Sequence, residues 1–280
     1  MTRRILLHIG SPKCGSTYLQ QVMLKNDRLL AANGVRYPHD GSRHPGNAAE
    51  IDKLSAAQLE GFFKDDTHTV ILSHEDLFAV AGRGKTLADL AGQAGQAGQA
   101  GIEVQVLAFL RPFSEFIFGD YSQFMKQHFD VWLKNRKPYG GRGFEQFAVD
   151  RCRNLSPVGY FKAWNRLFPD TGLILASHRD IRKVIEAQIG ALEGMVWEVP
   201  RDSTNPSLRM EDCDRLAAGL ADPDAPAGAL REAFRQAFTL TGEPDAGKTA
   251  ERRAWIEALF ARQNEELLKE FGFDNRIPTS

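Results

Sequence analysis

The chain has 280 residues, 42% of them hydrophobic and 25% charged, an ordinary globular balance that suits one large α/β domain or two small ones. A net charge of −1 provides no global basic field, so nucleic acid is excluded as a partner class and any anion site must be local. Three cysteines far apart, with no C-x-x-C pair and no apolar run of membrane-spanning length, read as a soluble protein of the reducing cytoplasm.

The first predicted strand, Ile5 to His8, begins so early that no signal peptide is expected ahead of it. It runs into a turn built on Gly10, Pro12 and Gly15, followed by helical spacing of Leu19, Val22, Met23, Leu29 and Leu30 from Ser16 to about Ala32. Strand, glycine turn and helix in that order form an anion-binding loop. The glycines let backbone N–H groups crowd round an anion, and the first helical turn adds unpaired donors and the positive dipole end. Gly10-x4-Gly15 has the spacing of a Walker A loop, yet Ser16 stands where that motif needs lysine, and the lysine is Lys13, within the loop. There it suits neutralising charge on a bridging oxygen. Cys14 lies in the same loop and reads as a small filler, because no base accompanies it as a nucleophile.

A short extended piece at Val35–Tyr37 precedes a polar stretch from His39 to Asn47 that reads as a surface loop, its His44 either solvated, the commoner case for a lone loop histidine, or reaching a site at the sheet's end. Next come a short helix capped by Ser55 and a buried strand, Thr69–Ser73. His74 and Glu75 leave that strand directly, at the end where parallel sheets carry their ligands, with Asp76 as a helix-capping acid. Three Gly-Gln-Ala repeats between Ala91 and Gly101 read as a flexible connector. Val104–Leu110, the most apolar strand, delivers Arg111 to its carboxyl end, and Pro112 opens an aromatic helix. An arginine fork there suits a second phosphate.

The basic, glycine-rich stretch from Lys134 to Gly143 reads either as a solvated loop or as a flap bringing Lys137 and Arg142 over an anion. Two helices, Phe144 to Cys152 and Val158 to Phe168, and a strand, Leu173–Ser177, follow. From Arg179 to Gly272 the pattern is helical, with breaks near Pro200–Asn205, Asp222–Pro226 and Gly242–Gly247. The histidines are dispersed and show no helical ligand pair, so no metal is expected.

Ile9 to Thr17, the strand ending in Ser73-His74-Glu75, and Leu110-Arg111 feeding an aromatic helix together resemble the PAPS-dependent sulfotransferases, and their bacterial branch most. Gly34 to Pro38, Asn205 to Leu208, and Asn264 with Leu267 add to the resemblance, which is scattered over most of the chain. It implies a P-loop NTPase-like three-layer α/β/α fold with a mostly parallel sheet, as a single domain with its core in 1–178 and a helical region in 179–280. The implied reaction moves a sulfuryl group from PAPS to a hydroxyl acceptor, expected to be a carbohydrate, giving adenosine 3′,5′-bisphosphate without a required metal. The cofactor-binding residues carried over are Gly10, Ser11, Pro12, Lys13, Cys14, Gly15, Ser16 and Thr17 for the 5′-phosphosulfate and Arg111 for the 3′-phosphate. The family pairs that arginine with a serine eight residues on. Position 119 is glycine here, and Ser122 or a backbone N–H is the substitute. Lys13 would stabilise the leaving oxygen, and Glu75 or His74 would take the proton, Glu75 being preferred because desolvation raises a carboxyl pKa toward neutrality. The rival classes are an ATP-dependent small-molecule kinase and a non-catalytic nucleotide-binding relative.

Overall fold

The computed structural model describes residues 3–96 and 101–277. Among them, five strands make one parallel sheet in the order β2-β3-β1-β4-β5: β1 Arg3–His8, β2 Val35–Arg36, β3 Thr69–Ser73, β4 Ile102–Leu110 and β5 Leu173–Ser177. The chain is therefore α/β, with β1 and β4 as direct neighbours in register from Arg3↔Ile102 to His8↔Leu107. That adjacency brings the carboxyl ends of β1 and β4, and so the glycine turn and Arg111, to the same sheet edge.

Ile5, Leu6 and Leu7 are all buried, as are Val70, Ile71 and Leu72, so β1 and β3 are covered on both faces, which is why they read as unbroken apolar runs. On one face Leu6, Ile71, Leu107 and Phe109 pack against Leu19, Val22 and Met23 of α1 (Ser16–Lys25) and Leu30 of α2 (Asp27–Ala32). Each of these fully buried side chains contributes about 1.5–3 kcal/mol. Next in order, α3 (Ala56–Phe62) opens with a reciprocal cap between Ser55 and Gln58, and α4 (Lys85–Gln96) packs on β4. Then come α5 (Phe113–Asn135), α6 (Phe144–Asn154), α7 (Pro157–Leu167) and α8 (Ile181–Ile189), the last adding Ile181 and Ile185 to the same core. The series closes with α9 (Met210–Ala221), α10 (Ala227–Thr239), α11 (Ala250–Leu259) and α12 (Ala261–Phe271).

The chain forms two compact units, the first made of Met1–Arg111, Pro157–Asn205 and Lys269–Phe273, the second of the remainder from Pro112 onward. The sheet belongs to the first. Within the second, the ring of Tyr139 stacks on Tyr121 at 3.9 Å, and its hydroxyl donates to the Tyr121 carbonyl at 2.9 Å. The basic stretch before α6 is thus anchored by a buried tyrosine, and its Arg142 is tied to Asp150 at 2.7 Å. The aromatic stripe of α5 is core, with Phe113, Phe116, Phe118 and Tyr121 buried.

Four expectations about elements are corrected. The first helix is two, because Asn26 spends its carboxamide on the backbone of Val196, accepting from its N–H and donating to its carbonyl, both at 2.8 Å. β2 stops at Arg36 because the Asn47 side chain takes over the edge of β3, accepting from Ser73 N–H at 2.7 Å and donating to Ile71 O at 2.9 Å. The Gly-Gln-Ala stretch is helical as far as Gln96, since glutamine and alanine outweigh the glycines; residues 97–100 lie outside the described residues. Finally, the helical pattern after α8 lapses from Gly190, where Gly190 and Gly194 take left-handed φ of 86° and 83°, until α9, apart from a single turn at Arg201–Thr204. All three cysteines are unpaired, and among the described residues no helix is long and apolar enough to cross a membrane.

Candidate functional site

Three left-handed residues shape the loop after β1: Gly10 at φ 73°, Lys13 at 64° and Gly15 at 91°. Such residues turn successive N–H groups toward one concave side, the geometry of an anion nest. Gly10 is required twice over, since a Cβ there would lie 2.4 Å from Glu75 Cα. The loop and the residue after β3 are therefore in direct backbone contact. Gly15 precedes α1 with no side-chain cap and no acid in the first turn, leaving the helix's first N–H groups and dipole end open to an anion.

Around this loop sit two buried polar atoms without a hydrogen-bond partner, Ser16 Oγ and Arg111 Nε. Ser16 is 7% exposed. Arg111 borders Cys14, whose thiol is contacted by the guanidinium and lies 3.6 Å from Ser11 Oγ. Burial pushes the Cys14 thiol up despite Arg111 and Ser11, so it is a neutral filler of the loop. Pro12, Lys13 and Thr17 are half-buried and Ser11 is buried on the same turn.

Glu75 is held on both oxygens. Gln20 of α1 donates from Nε2 to Oε2 at 3.2 Å, and His44 Nε2 stands 3.4 Å from Oε1. Gly46 N–H donates to His44 Nδ1 at 3.1 Å, which leaves the neutral ring's proton on Nε2, facing the carboxylate. His74 stacks on His44 with ring centroids 4.9 Å apart, and its own Nδ1 accepts from Asp76 N–H at 3.2 Å, capping the turn Glu75–Leu77. Behind that turn, Trp164 Nε1 donates to Leu77 O at 3.2 Å. His44 is thus not merely solvated; its loop is pinned by Asn47 on β3 and by Tyr37, whose hydroxyl donates to Pro45 O at 2.5 Å.

The expected rise in the Glu75 pKa is corrected. Burial alone would raise it, but the residue's own backbone N–H, Gln20, His74 and His44 outweigh burial, and the carboxyl sits below its ordinary value. His74 is lowered by burial against the pull of Glu75 and Asp76. Near neutral pH the site holds an ionised Glu75 carboxylate beside a neutral His74 imidazole.

Two members of this cluster are not evident from the sequence. His8, fully buried on β1, bonds through Nδ1 to Ser73 Oγ at 2.8 Å, and the same hydroxyl accepts from Gln20 Nε2 at 3.1 Å. The β1–β3 register His8↔Ser73 makes that contact. Burial lowers the His8 pKa to about 4, with Glu75 pulling the other way. The unfolded chain then binds the extra proton between the ordinary histidine value and about 4. Stability from neutral His8 is complete above that window and is lost as pH falls through it, by roughly 3 kcal/mol. Urea unfolding of wild type and His8→Asn should show the wild-type advantage shrinking by about that amount between neutral pH and pH ~4.

The sheet edge brings together Gly10 through Thr17, His74, Glu75 and Arg111, all in the first compact unit. Ser122 belongs to the second unit, where it is buried and its Oγ accepts from Leu208 N–H at 2.7 Å, keeping its own proton to donate. No protein-family model matches the chain, and no curated protein matches it.

Proposed function

We propose that the chain is a sulfotransferase on a P-loop-type three-layer α/β/α frame, moving the sulfuryl group of PAPS to a hydroxyl acceptor, a carbohydrate. The observation that carries this reading is the pair of unpartnered buried polar atoms, Ser16 Oγ and Arg111 Nε, beside a left-handed loop bearing Lys13. A buried polar atom without a partner costs about 1–3 kcal/mol, and phosphate oxygens would relieve both. The loop N–H groups, Ser16 and Thr17 would hold the 5′-phosphosulfate, and Arg111 the 3′-phosphate.

Glu75 accepts the acceptor's hydroxyl proton as the acceptor oxygen bonds to sulfur. The sulfur–oxygen bond to the phosphate breaks in line, and Lys13 stabilises the negative charge left on that phosphate oxygen. An ionised Glu75 supports this role because it is already in the form that accepts a proton. Titration calorimetry should show adenosine 3′,5′-bisphosphate binding at least tenfold more tightly than ATP with Mg²⁺, a gap of about 1.4 kcal/mol. A preference for ATP with Mg²⁺ would move the chain to the kinase class and sink the sulfuryl reading.

A further inference from the structure

Gln20 is fully buried on α1, and its carboxamide is used lopsidedly. Nε2 reaches Ser73 Oγ at 3.1 Å and Glu75 Oε2 at 3.2 Å, while Oε1 is buried with no partner. As packing, a glutamine with a stranded oxygen is a poor choice, since an apolar side chain of similar size fills such a place without that penalty. What the residue contributes is its donor end.

Its place on the helix matters as much. Ser16 and Gln20 are four residues apart, on one face of α1 and about 6 Å along its axis. Ser16 has its unpartnered hydroxyl in the anion loop, and Gln20 grips the carboxylate. Gly10 closes the same distance from the other side, with its backbone against Glu75 Cα. A rigid helical turn therefore spans the interval between bound anion and carboxylate.

We propose that Gln20 is a positioning residue that registers the Glu75 carboxylate against the anion loop through one turn of α1. Its catalytic meaning rests on the sulfuryl-transfer reading; its placement of Glu75 does not. The charged and titratable groups facing Glu75 are His8 from β1, Tyr37 beyond β2, His44 from the 39–47 loop and the adjoining His74. None of them replaces the Gln20 donor on Oε2.

The test uses Gln20→Met, which keeps the bulk, and Gln20→Asn, which keeps an amide one methylene short in case the methionine variant fails to fold. Carbon-13 NMR of the Glu75 carboxyl, without any nucleotide, should show it titrating at higher pH in either variant than in wild type. Single-turnover transfer under saturating PAPS should fall about 100-fold with affinity for adenosine 3′,5′-bisphosphate unchanged. In a Glu75→Gln background the same substitution should add less than about threefold, because both changes act on one group. An unmoved Glu75 titration in the folded variants overturns the proposal, and so do rate losses that multiply independently. Wild type inert toward PAPS would sink the sulfuryl reading instead, and the NMR titration would then decide the role of Gln20 by itself.

Discussion

Lys13→Ala is expected to lower the single-turnover rate by about 10²–10³-fold under saturating PAPS, while affinity for adenosine 3′,5′-bisphosphate falls less than about tenfold. The asymmetry follows from where the lysine sits. It occupies the arc of the loop in a left-handed conformation, φ 64°, not the first helical turn, and that conformation costs an L-residue about 1–2 kcal/mol. On the sulfuryl-transfer proposal, a charge placed on the arc would interact most with an oxygen whose charge grows as the bond to sulfur breaks, and less with the ground state. Arg111→Ala should do the reverse, weakening nucleotide binding by about 2–3 kcal/mol with the smaller share of its effect on the rate at saturation. Rapid-quench transfer combined with calorimetry separates the two. A Lys13→Ala variant that turns over normally at saturation would reduce the loop to a binding element.

Glu75→Gln should cost about 10²-fold in single-turnover rate, the lower end of what a general base contributes. The lower end is expected because hydrogen bonds from Gln20 and the residue's own backbone N–H, with help from His44 and His74, stabilise the carboxylate and make it a weaker proton acceptor than a desolvated, unpartnered one. The same fact fixes the pH profile. Glu75 loses its base form only below the ordinary carboxylate value, so its contribution to the rate should hold through mildly acidic pH and fail beneath that value. Glutamine preserves the shape and one acceptor oxygen, so the melting temperature and nucleotide affinity should stay nearly constant. Normal transfer in Glu75→Gln with collapse in His74→Ala would pass the role to the histidine. Against that outcome, the Nδ1 of His74 is already engaged by Asp76 N–H and its side chain is 8% exposed.

The sheet is legible in the sequence because strand chemistry is local. Thr69–Ser73 and Leu173–Ser177 are apolar or β-branched runs with turn signals beside them, and both stand in the structure with those bounds. The glycine turn is legible for the same reason, since two glycines at fixed spacing permit left-handed backbone and the proline between them fixes its own φ. The polar cluster was not. His8 looks like the polar end of an apolar strand until the parallel register sets it beside Ser73, 65 positions away. Gln20 looks like the polar face of an amphipathic helix until α1 is laid on β3. The lowered pKa of Glu75 depends on those same long-range donors, whereas burial, the contribution a sequence does suggest, acts in the opposite sense.

The position of β1 in the middle of the sheet also sets a clock for self-assembly. Its partners on either side, β3 and β4, lie roughly 65 and roughly a hundred residues further along the chain, and parallel pairing admits no tight-turn shortcut between them. During synthesis at ~5–20 residues per second, the central strand therefore waits on the order of ten seconds with an apolar flank and open backbone groups exposed. Residues Ile5 to Leu7, buried in the finished core, are over that interval exposed to wrong partners, and chaperone demand should fall on them.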